Sequence, residues 1–197
     1  MSSLLRRGTW LVLLALGVAG CGILSPPPAR DCPIESLLLD EEPFPLGARA
    51  DSVFSPLPEK GWETAGRTIH LPMPIGIANH DVYRYKSAAR ADWQFRQEKE
   101  LTFMPGRWRG PWDVPEALTY RSPIADQYYV ACEVRSGVYS KCEMIAQYEE
   151  YFVYFKTDVS SGVMTFSWVE RALRAIDERM AACLGKPLPP AGASPTP

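Results

Sequence analysis

Residues 127–157, QYYVACEVRSGVYSKCEMIAQYEEYFVYFKT, contain three runs in which apolar and polar side chains alternate. Alternation with a period of two predicts β-strands, because successive side chains of a strand point to opposite faces of a sheet. Cys132 and Cys142 flank the glycine between the first two runs symmetrically, so a hairpin that turns there places them opposite each other. The same register pairs Val130 with Met144. A disulfide and the hydrophobic pattern would therefore select one alignment of the two strands.

The stretch that ends the domain predicts an amphipathic helix. Five apolar residues recur at helical spacing and predict a buried stripe that packs on the sheet: Val169, Leu173, Ile176, Met180 and Cys183. Ser167 and Glu170 fit a capping box at the start, and Gly185 fits a stop. On the opposite side, Glu170, Arg174 and Glu178 predict a solvent-facing chain of charge pairs.

Upstream of the hairpin, residues 67–71 (RTIHL) and 81–87 (DVYRYKS) are rich in β-branched and aromatic residues and predict two more strands. Ser87 is the expected N-cap of a helix over residues 88–103, which stops before a Pro-Gly pair. The order β-β-α-loop-β-β-β-α predicts an α+β fold. In this fold an antiparallel sheet of about five strands carries two main helices on one face.

This layout resembles the disulfide-bonded extracytoplasmic sensor domains of some actinobacterial receptor kinases. The shared pattern is a cysteine-bearing hairpin, here around Cys132 and Cys142, together with a closing helix that contains Cys183. The resemblance is one of layout without a common motif. It therefore implies no function for any single residue.

The amino-terminal stretch has the composition of a secretory signal. Arg6 and Arg7 precede an apolar run at residues 10–19, which is shorter than the ~20 residues that a bilayer-spanning helix needs. The following Val18-Ala19-Gly20-Cys21 resembles a lipobox, the signature of bacterial lipoproteins. This resemblance implies a diacylglyceryl thioether on Cys21, cleavage before it and acylation of the new amino terminus. The alternative is an ordinary signal peptide followed by a structural cysteine.

Composition and motifs divide the whole chain into four segments. Residues 1–20 are the predicted signal peptide, and residues 21–32 are a lipidated cysteine with a proline-rich tether. Residues 33–185 are one α+β domain with an irregular first segment, a size typical of a single domain. Residues 186–197 carry five prolines and no apolar periodicity, which predicts a disordered tail.

Charge and residue usage exclude several classes of function. The net charge is −2, which becomes −4 once Arg6 and Arg7 leave with the signal, and no basic patch of nucleic-acid-binding type is present. The chain has two histidines and lacks the motif spacings of hydrolases, phosphate-binding loops and metalloproteases. We therefore expect no catalytic residue, no metal site, no cofactor and no nucleic-acid partner.

Besides Cys21, four cysteines remain, and in an oxidising compartment they predict two disulfides with three alternative connectivities. The hairpin symmetry favours Cys132–Cys142, which leaves Cys32 at the start of the domain to pair with Cys183 on the last helix. Loop-closure entropy gives upper values of roughly 3 kcal/mol for the short loop and roughly 5 kcal/mol for the long one. The alternatives are free buried thiols or, with less support from the spacing, a zinc site.

Two adjacent residues, His80 and Asp81, suggest catalysis as an alternative function. His80 stands beside Asp81, and a carboxylate can orient an imidazole as a general base. No nucleophile lies nearby in the sequence, and an ordinary strand histidine is the simpler interpretation of both His80 and His70. Glu149 and Glu150 stand together at the link between the second and third strands, where solvated charge is expected.

The stretch that favours binding is the irregular loop at residues 103–120. Its GRWRGPW segment brings Arg107, Trp108, Arg109 and Trp112 together, and tryptophans between arginines can stack on sugars, aromatic ligands or a partner protein. The alternative is that both indoles fold back as a lid on the sheet.

These features predict a lipoprotein held outside the cytoplasm on the cell membrane or outer membrane. Its expected activity is non-catalytic binding of a small ligand or an envelope protein, through the 103–120 loop or the open face of the sheet. The two alternatives are an envelope hydrolase of unfamiliar type built around His80, and a structural accessory subunit of an envelope complex.

Overall fold

The computed structural model describes residues 28–57, 61–72, 76–104, 110–159 and 164–189. The predicted signal peptide, the lipobox and the last eight residues of the chain lie outside the described residues. The strands are β1 (Arg49–Ala50), β2 (Glu63–Leu71), β3 (Gly76–Arg84), β4 (Trp112–Asp113), β5 (Gln127–Arg135), β6 (Val138–Tyr148) and β7 (Tyr151–Asp158). The helices are α1 (Ala88–Thr102) and α2 (Phe166–Leu184), and Ile34–Leu37 form one turn of 3-10 helix. Neither α1 nor α2 is long and apolar enough to cross a bilayer.

The strands of the described residues form one antiparallel sheet in the order β1-β2-β3-β7-β6-β5-β4. The β2–β3 hairpin forms one half of the sheet. Helix α1 then connects β3 to the opposite edge of the sheet, at β4. From there the β5-β6-β7 meander runs back, and β7 pairs with β3. The α+β class and the antiparallel sheet are confirmed, but the sheet has seven strands instead of about five. The two further strands, β1 and β4, are two-residue edge strands that are too short to show alternation in the sequence.

The register of the central hairpin is the one that the sequence predicts. Cys132 pairs with Cys142, Val130 with Met144, and Tyr128 with Ala146. The turn itself is not symmetrical about Gly137, because Ser136 and Gly137, with φ of 51° and 79°, form a two-residue turn. A bulge next to Glu133 then adds one residue to β6 and restores the predicted pairing.

Both predicted disulfides are present, Cys132–Cys142 within the hairpin and Cys32–Cys183 across 151 residues. The second bond joins the end of α2 to the segment that we call the strap, residues 28–48. All four cysteines of the described domain are thus paired. The alternatives of free thiols and of a zinc site are wrong.

We call the face of the sheet that carries Cys142, Met144 and Tyr148 the inner face. Helix α2 covers one half of it with the predicted apolar stripe, in which Val169, Leu173, Ile176 and Met180 are buried. The strap covers the other half with five buried apolar side chains, Ile34, Leu37, Leu38, Leu39 and Phe44. The irregular first segment is therefore part of the main core.

Helix α1 lies on the opposite side, the outer face, so the expectation of two helices on one face is wrong. Ala91 and Phe95 of α1 pack with Ile145 and Phe152, the outward-pointing side chains of β6 and β7, in a second cluster. Both faces of these strands therefore carry buried apolar side chains, and each apolar cluster needs a cover that excludes water. One helix on each side supplies it.

The helix ends are set by local signals, one of which differs from expectation. Ser87 caps α1 as predicted, with its side chain accepting a hydrogen bond from the Arg90 amide, and Gly185 ends α2 in the left-handed conformation with φ of 64°. The capping box at Ser167 is wrong, because α2 begins two residues earlier than this cap implies, at Phe166 with Thr165 as its N-cap. The Thr165 side chain makes no capping hydrogen bond, and its hydroxyl lies 2.8 Å from the hydroxyl of Ser167.

Candidate functional site

The outer face of the sheet holds a pocket of about 290 Å³ between α1 and the strands β3, β6 and β7. We call it the outer-face pocket. Strand β3 supplies Asp81 and Tyr83, and Tyr85 follows directly at its end. These residues share one face because alternate residues of a strand point the same way.

The other walls of the pocket come from α1 and from the two central strands. Gln94, Glu98 and Thr102 recur every four residues along α1, and this spacing aligns them on one side of the helix. Glu143 of β6 and Tyr154 of β7 face them from the sheet. The site is therefore carried by regular elements, which hold side chains more rigidly than loops do.

A glycine on β2 leaves room beside the pocket. A Cβ atom at Gly66 would lie 2.5 Å from the Asp81 carboxylate and 2.9 Å from the ring of Phe54. Both contacts are closer than real Cβ atoms allow. Gly66 therefore lets Asp81 and Phe54 occupy this part of the outer face.

Polar contacts fix several of the groups in the pocket. The Tyr154 hydroxyl donates to Glu143 Oε2 at 2.8 Å, and Lys141 Nζ lies 2.9 Å from the other oxygen of the same carboxylate. Gln94 Nε2 donates to Glu98 Oε1 at 2.8 Å. Both glutamates are therefore held in defined orientations.

Tyr85 differs from these residues. It is 3% exposed, and its hydroxyl makes no hydrogen bond to any described residue. Burial raises the pKa of Tyr85, and the nearby Glu98 carboxylate adds to the rise, so the phenol is neutral. A buried hydroxyl without a partner is unfavourable, and such groups in a pocket are candidates for contact with a ligand.

The structure does not bring His80 and Asp81 together. His80 is fully buried on the inner face, where its Nδ1 accepts a hydrogen bond from the Leu39 amide at 3.0 Å, while Asp81 lines the outer-face pocket. Burial, followed by the charges of Arg179 and Arg67, lowers the pKa of His80 to about 3. The predicted general-base pair is therefore wrong, because neighbouring strand residues point to opposite faces.

His70 has the exposed strand position expected of it. Its Nε2 lies 2.9 Å from Asp51 Oδ2, and both side chains are more than half exposed.

The predicted binding loop is described only in part. Arg107, Trp108 and Arg109 lie outside the described residues. Trp112 is half-buried on β4, where its ring meets Phe103 edge-on at 5.0 Å. This packing matches the alternative in which the indole folds back on the sheet.

Two buried charged clusters were missed by the sequence analysis. The first joins the strap to the β6–β7 turn: the Arg30 guanidinium binds Glu149 Oε2 at 2.5 Å and Glu150 Oε2 at 2.7 Å. Arg84 of β3 reaches Glu150 as well, at 3.5 Å, and Glu150 is 2% exposed. The expectation of solvated charge at Glu150 is therefore wrong, since the partner Arg30 lies 120 residues away in the chain.

The second cluster surrounds Asp177 of α2, which is fully buried. Its carboxylate accepts hydrogen bonds from the hydroxyls of Tyr120 at 2.5 Å, Tyr148 at 2.6 Å and Ser122 at 2.8 Å. A signal was present, because Asp177 stands four residues after Leu173 on the buried stripe. Two helix turns before Asp177, Glu170 accepts hydrogen bonds from the amides of residues 119 and 120, so it is not part of a purely solvent-facing chain.

Another cavity, of about 580 Å³, opens between the strap and β2. Arg30, Glu63 and Arg84 line it, and each of these charges already has a partner: Arg84 binds Glu63 at 3.1 Å, and Arg30 binds the turn. The outer-face pocket, where the Tyr85 hydroxyl has no hydrogen-bond partner in the described part of the chain, is therefore the stronger candidate.

The described residues contain no group of three or more side chains suited to hold a metal ion. Comparison with known proteins finds no matching family model and no matching curated protein.

Proposed function

We propose that the chain is an extracytoplasmic lipoprotein, anchored through Cys21, whose domain binds a small ligand without catalysis in the outer-face pocket. The observation that carries this proposal is the buried Tyr85 hydroxyl, which faces the pocket and lacks a hydrogen-bond partner among the described residues. A ligand that forms a hydrogen bond with the phenol would remove the free-energy cost of burying this hydroxyl without a partner.

The location is supported by two independent features. The two disulfides fit an oxidising compartment outside the cytoplasm. The Val18-Ala19-Gly20-Cys21 sequence supplies the expected acceptor for lipid, on either the cell membrane or the outer membrane.

Binding is favoured over catalysis by the positions of the titratable groups. His80, on which the hydrolase alternative depends, is neutral and buried on the inner face. Asp177 is enclosed by three hydroxyl donors beneath α2. Among the described residues, the polar groups that line the outer-face pocket are phenols, carboxylates, an amide and the Thr102 hydroxyl, which can orient a bound molecule.

The test is recovery of a small molecule with the protein. The full lipidated chain is purified from its native membranes, bound molecules are extracted, and they are identified by mass spectrometry. Gln94→Trp fills the pocket from α1, while Gln97→Trp places the same indole at an exposed position of the same helix. We expect a compound that the wild-type protein and Gln97→Trp retain and that Gln94→Trp loses.

Circular dichroism and thermal unfolding of the two variants check that α1 remains folded. Identical compounds in all three extracts, with the variants folded, would show that the outer-face pocket is not the binding site.

A further inference from the structure

Two exposed tryptophans and two cations share one part of the surface. The side chains of Trp62 and Trp93 are 52% and 42% exposed, and Lys86 and Arg90 are exposed as well. We call the surface formed by these four residues the tryptophan face. Tryptophan is enriched where one side of its ring meets an apolar phase and the other meets water, as at protein interfaces and at the surface of a membrane.

Contacts place the tryptophan face at the end of the sheet where the strap begins. Arg84 donates a hydrogen bond to the carbonyl of Pro28, the first residue of the strap, and the carbonyl of Arg84 accepts one from the Trp62 amide at 2.6 Å. Gln147, beside the β6–β7 turn, donates to the carbonyl of Ala88 at the start of α1. The strap binds the same turn. Trp62, the first turn of α1 and the start of the strap are therefore neighbours.

Each tryptophan carries a cation over its ring. Lys86 Nζ lies 4.6 Å from the centre of the Trp62 ring, and Arg90 Cζ lies 4.0 Å from the centre of the Trp93 ring. These contacts hold the rings and the cations together on the surface. Because an aromatic ring has no net charge, both positive charges remain in place.

Carboxylates at this end of the sheet bind other cations. Glu63 binds Arg84 at 3.1 Å, and Glu150 binds Arg30 at 2.7 Å. The cations of the tryptophan face supply positive charge beyond that used in these pairs. A surface that combines indoles with positive charge is complementary to a bilayer that contains anionic lipids.

The predicted tether limits how far this end of the domain can move from the bilayer. Pro28 follows the predicted lipidated Cys21 by seven residues, which span at most about 25 Å when fully extended. A surface held by so short a tether has a high effective concentration at its partner. Contacts that are too weak to bind a free protein to a membrane are therefore sufficient here.

We propose that the tryptophan face docks on the anionic headgroups of the bilayer that holds the anchor. The indoles enter the interfacial layer of the membrane, and Lys86 and Arg90 face the negative charge of the lipids. This inference rests on the proposed function, because the bilayer is within reach only if Cys21 is lipidated. It adds to the anchor a second contact, which fixes the end of the domain that faces the membrane.

The test measures how close the tryptophans come to the lipid headgroups. The full lipidated chain is purified from its native membranes and reconstituted in vesicles of phosphatidylcholine, alone or mixed with an equal part of phosphatidylglycerol. Both kinds of vesicle contain a lipid with a nitroxide on its headgroup, which quenches the fluorescence of nearby tryptophans. We expect stronger quenching in the anionic vesicles. High salt should reduce the quenching, because it screens the attraction between the cations and the lipids.

Two double variants separate local from general electrostatics. Lys86→Gln with Arg90→Gln removes the cations of the tryptophan face, and Arg171→Gln with Arg174→Gln removes two exposed cations that lie over aromatic rings on α2. Both change the net charge by the same amount. One cation near an anionic surface contributes roughly a factor of five, so the first double variant should lower the ratio of docked to undocked domain about 25-fold. The second should leave this ratio unchanged, and circular dichroism checks that both variants are folded.

Flotation of the vesicles distinguishes the inference from the proposed function. A chain that floats with the vesicles in high salt, but is quenched equally in both lipid mixtures, would overturn the docking and leave the anchor. A chain that does not float would overturn the anchor as well.

Two further results would assign the tryptophan face differently. An equal loss of quenching in both double variants would attribute the attraction to the overall charge of the domain and overturn the docking face. Shielding of Trp62 and Trp93 only at protein densities that give cross-linked dimers would assign the face to a second copy of the chain, and would also overturn it.

Discussion

His80 shows how burial decides what a titratable residue can do. Its imidazole lies beneath the strap, edge-on to Phe155 at 6.3 Å between ring centroids, and the Leu39 amide donates to Nδ1. Arg67 and Arg179 add positive charge nearby, so protonation of the ring is doubly unfavourable. The residue is a neutral acceptor that positions the strap.

This environment predicts a stability that depends on pH. The pKa of His80 falls from 6.5 in the unfolded chain to about 3 in the folded one, so between these values the unfolded state binds the extra proton. The free energy of unfolding should therefore decrease as pH falls from 6.5, by up to about 1.4 kcal/mol per pH unit. His80→Asn keeps an acceptor for Leu39 without titrating, and should lose this slope in urea unfolding at pH 4.5 to 7.

His70→Asn is the matched control, because His70 is an exposed histidine of the neighbouring strand β2. It should keep the steep dependence of the wild-type protein. A slope that survives in His80→Asn would mean that other groups cause the pH dependence.

Asp177 is a second residue whose role follows from its surroundings. Burial raises the pKa of its carboxyl, while hydrogen bonds from Tyr120, Tyr148 and Ser122 work in the opposite direction. Asp177→Ala should lower the free energy of unfolding by about 3 kcal/mol or more, because three hydroxyl donors lose their acceptor. Tyr148→Phe removes one donor and should lower it by about 1 kcal/mol.

Glu178→Ala is the control for this prediction, since the adjacent carboxylate is exposed on the same helix. Denaturant unfolding should find it within about 0.5 kcal/mol of the wild-type protein. An Asp177→Ala variant as stable as Glu178→Ala would show that the hydroxyl cluster contributes nothing.

At the scale of single residues, the sequence predicted interactions between neighbours in the chain better than interactions between residues that lie far apart in it. The cap at Ser87 and the stop at Gly185 depend on neighbouring residues, and both are confirmed. The pocket combines Asp81 with Glu98 and Glu143, which meet only after strand and helix have packed. No spacing rule connects such residues, so the site could not be found from the sequence.

At the scale of elements, the strands were predictable where two signals agreed. Alternation and cysteine symmetry both indicated the Cys132–Cys142 register, which is confirmed. The placement of α1 was not predicted, because both helices were expected on one face, whereas Ile145 and Phe152 form a second apolar cluster with α1 on the outer face. Edge strands of two residues carry too little sequence to alternate.

The two disulfides should contribute unequally to stability. Loop-closure entropy depends on the length of chain enclosed, which is 151 residues for Cys32–Cys183 and 10 for Cys132–Cys142. Replacing both cysteines of a pair by serine should therefore lower the free energy of unfolding by up to about 5 kcal/mol for the first and about 3 kcal/mol for the second. Denaturant titration without reductant measures both.

The same variants also differ in where the structure loosens. Cys32–Cys183 holds the strap to α2, so its loss should speed hydrogen exchange at Leu38 and Leu39. Loss of the hairpin disulfide should leave those amides protected. Equal protection of the strap in both variants would show that its apolar contacts alone hold it in place.

At the scale of the whole molecule, contacts of the strap determine where the predicted tether joins the domain. Arg30 binds the β6–β7 turn through Glu149 and Glu150, and Tyr85 donates its amide to the Glu150 carbonyl at 2.8 Å. The chain therefore joins the domain at the end of the sheet where the outer-face pocket has its Tyr85 wall. A short tether on Cys21 would hold that end, and the pocket with it, near the membrane.

The proposed lipid anchor at Cys21 predicts that a single substitution changes the location of the protein. Two or more acyl chains, at ~0.8 kcal/mol per buried methylene, hold a protein on a bilayer far more firmly than one chain. Cys21→Ser removes the thioether acceptor, so the protein should move from the membrane fraction to the soluble fraction or remain as an uncleaved precursor. Ser25→Ala, a similar change in the same tether, should leave the protein in the membrane fraction. Mass spectrometry of the wild-type protein should find residues 1–20 absent and acyl groups on Cys21, and a soluble wild-type chain with an unmodified thiol there would contradict the anchor.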